Sequence, residues 1–184
     1  MYEIIHTKAI VLLDRVEKEY NKIFFLFTEE LGLVSVHAIS ILKPGAKLVS
    51  MLQPHSIISC DIVVGKHSKK ITTIVEKHPY EHIFLSPHKK QSFLSIFNFI
   101  IAMVPRNIPV KDVYALFSDF IYTLETDAHT EESVQQLEVR TLYKILASLG
   151  YIDTEYHHMF DTIETDDYPK MYDTVNKVLK EIHT

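Results

Sequence analysis

Histidine is the residue type in this chain with the widest chemical use, since it ligates metals and exchanges protons near neutral pH. The chain has 11 histidines. His78 and His82 have the i, i+4 separation of a helical ligand pair, but Pro79 between them disfavours a helix. His157 and His158 are adjacent, so they point apart on a helix. We therefore interpret the histidines as surface residues and predict no metal site.

Carboxylates and glycines give no stronger indication of catalysis. Asp161, Glu164, Asp166 and Asp167 form an acidic cluster, which is more typical of a solvated loop than of paired catalytic acids. No G-x-S-x-G nucleophile elbow is present in the sequence. The 4 glycines form neither a phosphate-binding loop nor a dinucleotide-binding fingerprint. The sequence therefore contains no motif for hydrolysis or for nucleotide binding, and we expect no cofactor.

The densest group of cations is the segment 65–70, which reads GKHSKK and contains Lys66, Lys69 and Lys70. It has two interpretations. A lysine-rich hairpin tip keeps a protein soluble, whereas the same lysines at the edge of a groove would bind the phosphates of a nucleic acid. The sequence by itself leaves both interpretations open.

Charge is distributed unevenly along the chain. The net charge is −5, made up of +2 over residues 1–80 and −7 over residues 81–184. This difference favours two domains with different partners. A charge of +2 is nevertheless too small to identify a nucleic-acid-binding domain without a motif.

Several features of the sequence indicate the cellular compartment. The single cysteine, Cys60, excludes an internal disulfide and a multi-cysteine zinc site, and a free thiol suits a reducing compartment. The first apolar run is interrupted by His6 and Lys8, so it does not resemble a signal peptide. The longest helical apolar stretch, 93–104, is too short to span a bilayer. We expect a cytoplasmic protein without a membrane segment.

The elements that must position these residues begin with a β-hairpin over 22–38. Two apolar runs flank a short polar turn in which Gly32 can adopt a positive φ. Phe24 and Phe25 are adjacent, so the first strand is apolar on both faces, as in a covered barrel. Turn signals separate five predicted strands, which favours a small closed barrel of the OB kind. The predicted strands are 6–15, 22–28, 33–36, 56–64 and 71–75, with a polar turn at 16–21 and a loop or short helix at 39–52.

The hydrophobic period changes from that of strands to that of helices after Pro79. Thr130 can cap the third predicted helix, and Gly150 can end it. We therefore predict an α+β fold, with an OB-fold domain at 1–80 and an all-α domain at 81–184 that has no zinc finger. The predicted helices are 87–104, 110–124, 130–149, a short helix at 153–163, and 168–182.

The order of several short motifs resembles the RecO family, the bacterial recombination mediators of DNA repair. Any one of these motifs is weak, but their order and spacing together are fairly specific. The similarity is densest over residues 8–60. The motifs are Ala9-Ile10-Val11-Leu12, Arg15, Glu19, Phe27-Thr28-Glu29-Glu30, Gly32-Leu33, Leu52-Gln53-Pro54 and Leu149-Gly150-Tyr151.

The resemblance implies a function without an active site. RecO-like proteins bind single- and double-stranded DNA, anneal strands, work with RecR and single-stranded DNA-binding protein, and help load RecA. A member would be cytoplasmic and associated with the nucleoid. Tyr20 or Phe24 could stack on a base, although core packing is the favoured interpretation of Phe24. With the lysines of the 65–70 loop added to the basic positions that match the family, the predicted DNA-binding residues are Arg15, Lys22, Lys43, Lys47, Lys66, Lys69 and Lys70.

The sequence also departs from the family pattern. Residues 39–42 read ISIL where the family has basic residues and a glycine, so DNA binding at this loop is in doubt. The cysteine quartet that holds zinc in many members is absent. A second hypothesis is therefore a protein-interaction scaffold of the same fold with little affinity for DNA.

Overall fold

The computed structural model describes residues 2–126, 129–152 and 168–182 of the chain. Within these ranges five strands are followed by α-helices, as the sequence predicted. A short 3-10 helix, His82–Leu85, lies between them and was not predicted. The predicted short helix at 153–163 and the acidic cluster near residue 164 lie outside the described residues. The elements are β1 (Glu3–Lys18), β2 (Asn21–Thr28), β3 (Gly32–Ala38), β4 (Ser56–Val64), β5 (Lys69–Pro79), α1 (Pro87–Met103), α2 (Lys111–Thr126), α3 (Glu131–Ser148) and α4 (Tyr168–Ile182).

The five strands form a closed barrel in the order β1-β2-β3-β5-β4. The long strand β1 pairs antiparallel with both β2 and β4, which closes the ring. β4 and β5 form an antiparallel hairpin, while β3 meets β5 in parallel at His37 and Lys70. This is the strand arrangement of an OB-fold, so the predicted fold is confirmed.

Alternating side chains of every strand fill the barrel. In β2, Phe24 and Leu26 point inward, and in β3 Val34 and Val36 do the same. The period of two along each strand therefore explains which apolar residues became the core. The buried strand residues of this core are Ala9, Val11, Phe24, Leu26, Val34, Val36, Ala38, Ile58, Cys60, Ile62, Ile71 and Ile74.

One end of the barrel is closed by the β3–β4 connection. Ile41 and Leu52 are 3% and 2% exposed and belong to the barrel core. The connection forms successive turns rather than a helix. The apolar residues at 39–42 that depart from the family pattern thus include a plug for the barrel end, because an open barrel end would expose the core to water.

A tight turn joins β2 and β3, as the hairpin prediction required. The Thr28 hydroxyl accepts a hydrogen bond from the Leu31 N–H and donates one to the Gly32 carbonyl, both at 3.0 Å. Gly32 has φ +69°, and a Cβ on it would lie 2.0 Å from the carbonyl oxygen of Ile108. Only glycine fits here, since both its conformation and the space beside it exclude a side chain.

The described chain divides into two compact units. The first is Met1–Glu81 with Ile100–Tyr114, and the second is His82–Phe99 with Ala115–Thr184. In the first unit the segment 100–114 covers part of the outer barrel wall. Tyr114 meets Phe27 edge-on at 5.5 Å between ring centroids. Lys111 Nζ lies 2.6 Å from Glu30 Oε1, and this hydrogen bond raises the pKa of Lys111.

The second unit is organised around aromatic side chains of α1 and α2. Phe93 stacks on Phe117 at 6.0 Å between ring centroids. Thr130 caps α3 by accepting the Ser133 N–H, as predicted. Gly150 at φ +81° ends α3 as predicted, in the turn where its own N–H bonds to the Ala147 carbonyl. No helix in the described ranges is long and apolar enough to cross a membrane.

The strand limits differ from prediction where polar residues continue a ladder. The turn predicted at 16–21 is wrong over its first residues, because β1 runs to Lys18 and pairs with β2 as far as Asn21. Likewise β5 extends to Pro79, opposite Ser56 of β4. Solvated strand ends lack the apolar alternation that reveals a strand, so a partner strand decides their conformation.

Candidate nucleic-acid interface

Arg15 lies on the outer wall of the barrel, next to an aromatic ring. Phe24 and Leu26 point into the core, so Phe25 between them points outward, where it is half-buried. The Arg15 guanidinium carbon lies 5.7 Å from the centroid of the Phe25 ring. In the described part of the chain Arg15 is exposed and has no carboxylate partner. Its charge is therefore available to a ligand beside an aromatic surface.

Two lysines of β5 border the same wall. Lys70 is exposed, and its backbone forms a β-bridge with that of His37 in β3. The His37 side chain points outward because Val36 and Ala38 point inward. Lys69 Nζ lies 2.7 Å from Asn107 Oδ1 in the first unit. Arg15, Lys69 and Lys70 are thus brought to the outer face formed by β1, β2, β3 and the start of β5.

The remaining predicted cations lie elsewhere on the barrel. Lys22 forms an ion pair with Asp14 at 2.6 Å, so its charge is locally compensated. Lys43 lies 5.7 Å from the ring centroid of Tyr20, in the connection that closes the barrel end, and Lys47 is exposed in the same connection. Lys66 is exposed in the turn between β4 and β5. The predicted set is therefore divided between the outer wall, the barrel end and the hairpin tip.

The two predicted stacking residues have different settings. Phe24 is 1% exposed and part of the barrel core, so it has no face to offer a base. Tyr20 is exposed beside Lys43. The aromatic ring that the outer wall does present is that of Phe25, next to Arg15.

A groove of about 340 Å³ lies on this outer wall, within the first unit. Phe25 and Ser35 form part of its floor, and the chain between α1 and α2 supplies Arg106 at its rim. Arg106 is exposed and, among the described residues, has no carboxylate partner. The residues that line the groove are Leu12, Leu13, Phe25, Leu33, Val34, Ser35, Ile101, Arg106 and Asn107.

Strand β3 has an interrupted ladder beside this groove. Leu33 bridges to Arg106, with the Asn107 N–H donated to the Leu33 carbonyl at 2.9 Å. The next bridge on that side joins His37 to Lys70. Backbone groups alternate sides along a strand, so those of Ser35 face the same side as those of Leu33. No strand partner lies opposite Ser35 in the described ranges, which leaves backbone hydrogen-bonding groups at the groove.

Arg106 is the residue that the sequence analysis missed. It follows Pro105 and lies between two predicted helices, in a segment that has the composition of a connection. Nothing local distinguishes it from other surface arginines. Only its bridge to Leu33, far away in the sequence, identifies it as part of the barrel wall.

Several histidines in the described ranges lie beside carboxylates rather than beside one another. His37 Nδ1 lies 2.9 Å from Glu17 Oε2, and His82 Nδ1 lies 2.6 Å from Glu125 Oε1. No group of three or more histidine, cysteine or acidic side chains suited to a metal ion occurs among these residues. Cys60 lies inside the barrel core and is not part of the groove.

Comparison with known families bears on the barrel. Residues 1–79 match the family described as Recombination protein O N terminal. The barrel is therefore similar to the N-terminal domain of RecO. The resemblance found in the sequence is thereby confirmed over the barrel, and the family that it indicates is one of recombination and repair. No curated protein matches the chain.

Proposed function

We propose that the RecO-like N-terminal domain of this protein binds single-stranded DNA across the outer barrel wall. The observation that carries the proposal is the outward-facing Phe25 with Arg15 beside it, next to Arg106 at the groove. Cations neutralise phosphates and release counterions, while an aromatic ring stacks on bases of any sequence. This combination binds DNA through phosphates and base faces, which every single strand presents.

The wider activity follows from the family. A RecO-like mediator anneals complementary strands, works with RecR and single-stranded DNA-binding protein, helps load RecA and also binds double-stranded DNA. We extend these roles to this chain, together with a cytoplasmic, nucleoid-associated location and the absence of catalysis. Annealing needs only that two DNA strands be held with their phosphates neutralised, which the exposed cations of the outer wall can do.

The test is the salt dependence of single-stranded DNA affinity, measured by fluorescence anisotropy with a labelled oligonucleotide. Each phosphate contact contributes about −0.7 to the slope of log K against log salt for single strands. Arg15→Gln and Lys70→Gln should each weaken binding and make the slope shallower by about that amount. Lys8→Gln is the matched control, because Lys8 is an exposed cation of the same strand that lies seven residues from Arg15, opposite Ser59 of β4.

Two further outcomes have distinct meanings. A shallower slope for Lys43→Gln combined with Lys47→Gln would extend the DNA path over the barrel end, as the sequence predicted. No rise in anisotropy for the unmodified protein at low salt would reject DNA binding. The protein-interaction scaffold would then be favoured, and its support is the plugged barrel end, where Ile39 is 53% exposed.

A further inference from the structure

The geometry points to a pocket for one unstacked base that carries carbonyl groups, held in the groove between β3 and the chain that follows α1. This inference rests on the proposed binding of single-stranded DNA and adds to it a base preference and a clamp residue, Arg106. All the residues that line the groove belong to the first unit.

The groove has the size and walls that a base requires. Its volume is about 340 Å³, near the lower limit of about 300 Å³ for pockets that hold small organic ligands. Phe25 is half-buried, and Leu13 is 47% exposed at the same wall. A flat, aromatic heterocycle can cover these apolar surfaces, and single-stranded DNA is the form in which bases are free to leave the stack.

The side-chain polar groups of the groove are mainly hydrogen-bond donors. The Arg106 guanidinium has donors only. The Asn107 side-chain oxygen is occupied by Lys69 at 2.7 Å, so the group that remains is its NH₂ donor. A base edge that presents carbonyl oxygens, as in thymine, uracil or guanine, satisfies these donors, whereas the amino group of cytosine or adenine can be accepted only by the oxygens of Ser35.

The charges around the groove fit the phosphates on either side of such a base. Arg15 lies over Phe25, and Arg106 lies at the rim. Neither arginine has a carboxylate partner in the described part of the chain. Within the described residues, the ion pair made from strand β3 joins His37 to Glu17, and the His37 side chain does not line the groove. The DNA backbone carries one negative charge per nucleotide, so it is complementary to the positive charges of these two arginines.

The experiment compares oligonucleotides of deoxyuridine and deoxycytidine of equal length, by anisotropy competition at one salt concentration. The two bases share the pyrimidine ring and the carbonyl of position 2. They differ at position 4, which is a carbonyl in uracil and an amino group in cytosine, and at N3, which donates in uracil and accepts in cytosine. The unmodified protein should prefer the deoxyuridine strand by about ten-fold, within the range of a good base-edge contact. Arg106→Lys keeps the charge but loses the planar pair of donors, so the preference should fall to about two-fold or less.

A second variant tests the aromatic wall. Phe25→Leu should weaken the binding of both oligonucleotides by a similar factor, of about five-fold or more, because stacking is lost irrespective of the base. Equal affinity of the unmodified protein for the two strands, or a preference that survives Arg106→Lys, overturns the base pocket while leaving DNA binding intact. Failure of either strand to bind at low salt instead overturns the proposed function, and the pocket with it.

Discussion

Cys60 shows at the scale of one residue how the barrel interior controls chemistry. Its side chain is 2% exposed among the aliphatic residues of the core. Burial, and secondarily the negative charge of Asp61, raises the pKa of the Cys60 thiol to about 12. The thiolate is the reactive form of cysteine, so this thiol is unreactive in the folded protein.

We predict that thiol reagents label Cys60 only through unfolding. The unfolded thiol ionises near pH 8.5, about the value of a free cysteine, whereas the native thiol keeps its proton to about pH 12. The folded state therefore binds the proton more tightly, and stability should decrease as the pH rises between these two values. Iodoacetamide labelling followed by mass spectrometry should be slow at pH about 8.5 and complete in denaturant. Fast native labelling would contradict a closed barrel interior.

At the scale of elements, the β2–β3 turn depends on one glycine and on a segment remote from it in sequence. The hairpin signal in the sequence revealed the need for a positive φ at Gly32. The second constraint, the Ile108 carbonyl 2.0 Å from the position of a Cβ, is invisible locally. The positive φ and the nearby Ile108 carbonyl each add to the free-energy cost of a Cβ at this position. Alanine substitutions at two different glycines can therefore distinguish the two contributions.

Gly32→Ala should destabilise the protein by about 3 kcal/mol or more, because backbone strain adds to a clash with main-chain atoms that cannot rotate away. Gly45→Ala is the matched control, since Gly45 has φ +81° but open space around it. It should cost only about 1 kcal/mol, from the backbone conformation alone. Urea unfolding of both variants measures the difference, and equal losses would mean that the chain near Ile108 does not approach the turn.

The limits of an element were predicted correctly where its apolar pattern, alternating in a strand or following one face of a helix, continued to both ends. The limits of β4 and of α4 match those predicted from the sequence. The ends of β1 and β5 were missed, because their polar residues are strand-like only through pairing with β2 and β4. The 39–42 segment looked like a lost basic loop, whereas Ile41 contributes to the barrel core.

At the scale of the whole molecule, the barrel uses chain from beyond its own strands. The family match covers residues 1–79, yet the first unit also includes Ile100–Tyr114. That segment covers Phe27 through Tyr114 and continues the edge of β3 through Arg106. A domain limit at residue 80 is based on the change from strands to helices along the sequence. It cannot show that the later segment 100–114 packs against the barrel.

We predict that a fragment of residues 1–81 is less stable than the barrel in the full chain. Without the segment 100–114, Phe27 and the apolar groove wall are exposed to water, which costs about 25 cal/mol per Å² of apolar surface. The fragment should bind the dye ANS and unfold at lower urea than the full chain. Addition of a peptide spanning 100–114 should reduce dye binding, and a fragment as stable as the full chain would show that the segment is dispensable.

The sequence by itself predicted a closed five-stranded barrel and its resemblance to RecO, because alternating apolar residues, turn glycines and short motifs act over a few neighbouring positions. It also identified seven cations without placing them on a common surface. Only the tertiary structure decided that Arg15, Lys69 and Lys70 share a wall with Arg106 and that Lys22 is paired with Asp14. The reason is that ligand sites join side chains from distant segments, and the free energy that brings those segments together comes from core packing, which leaves no local pattern at the site.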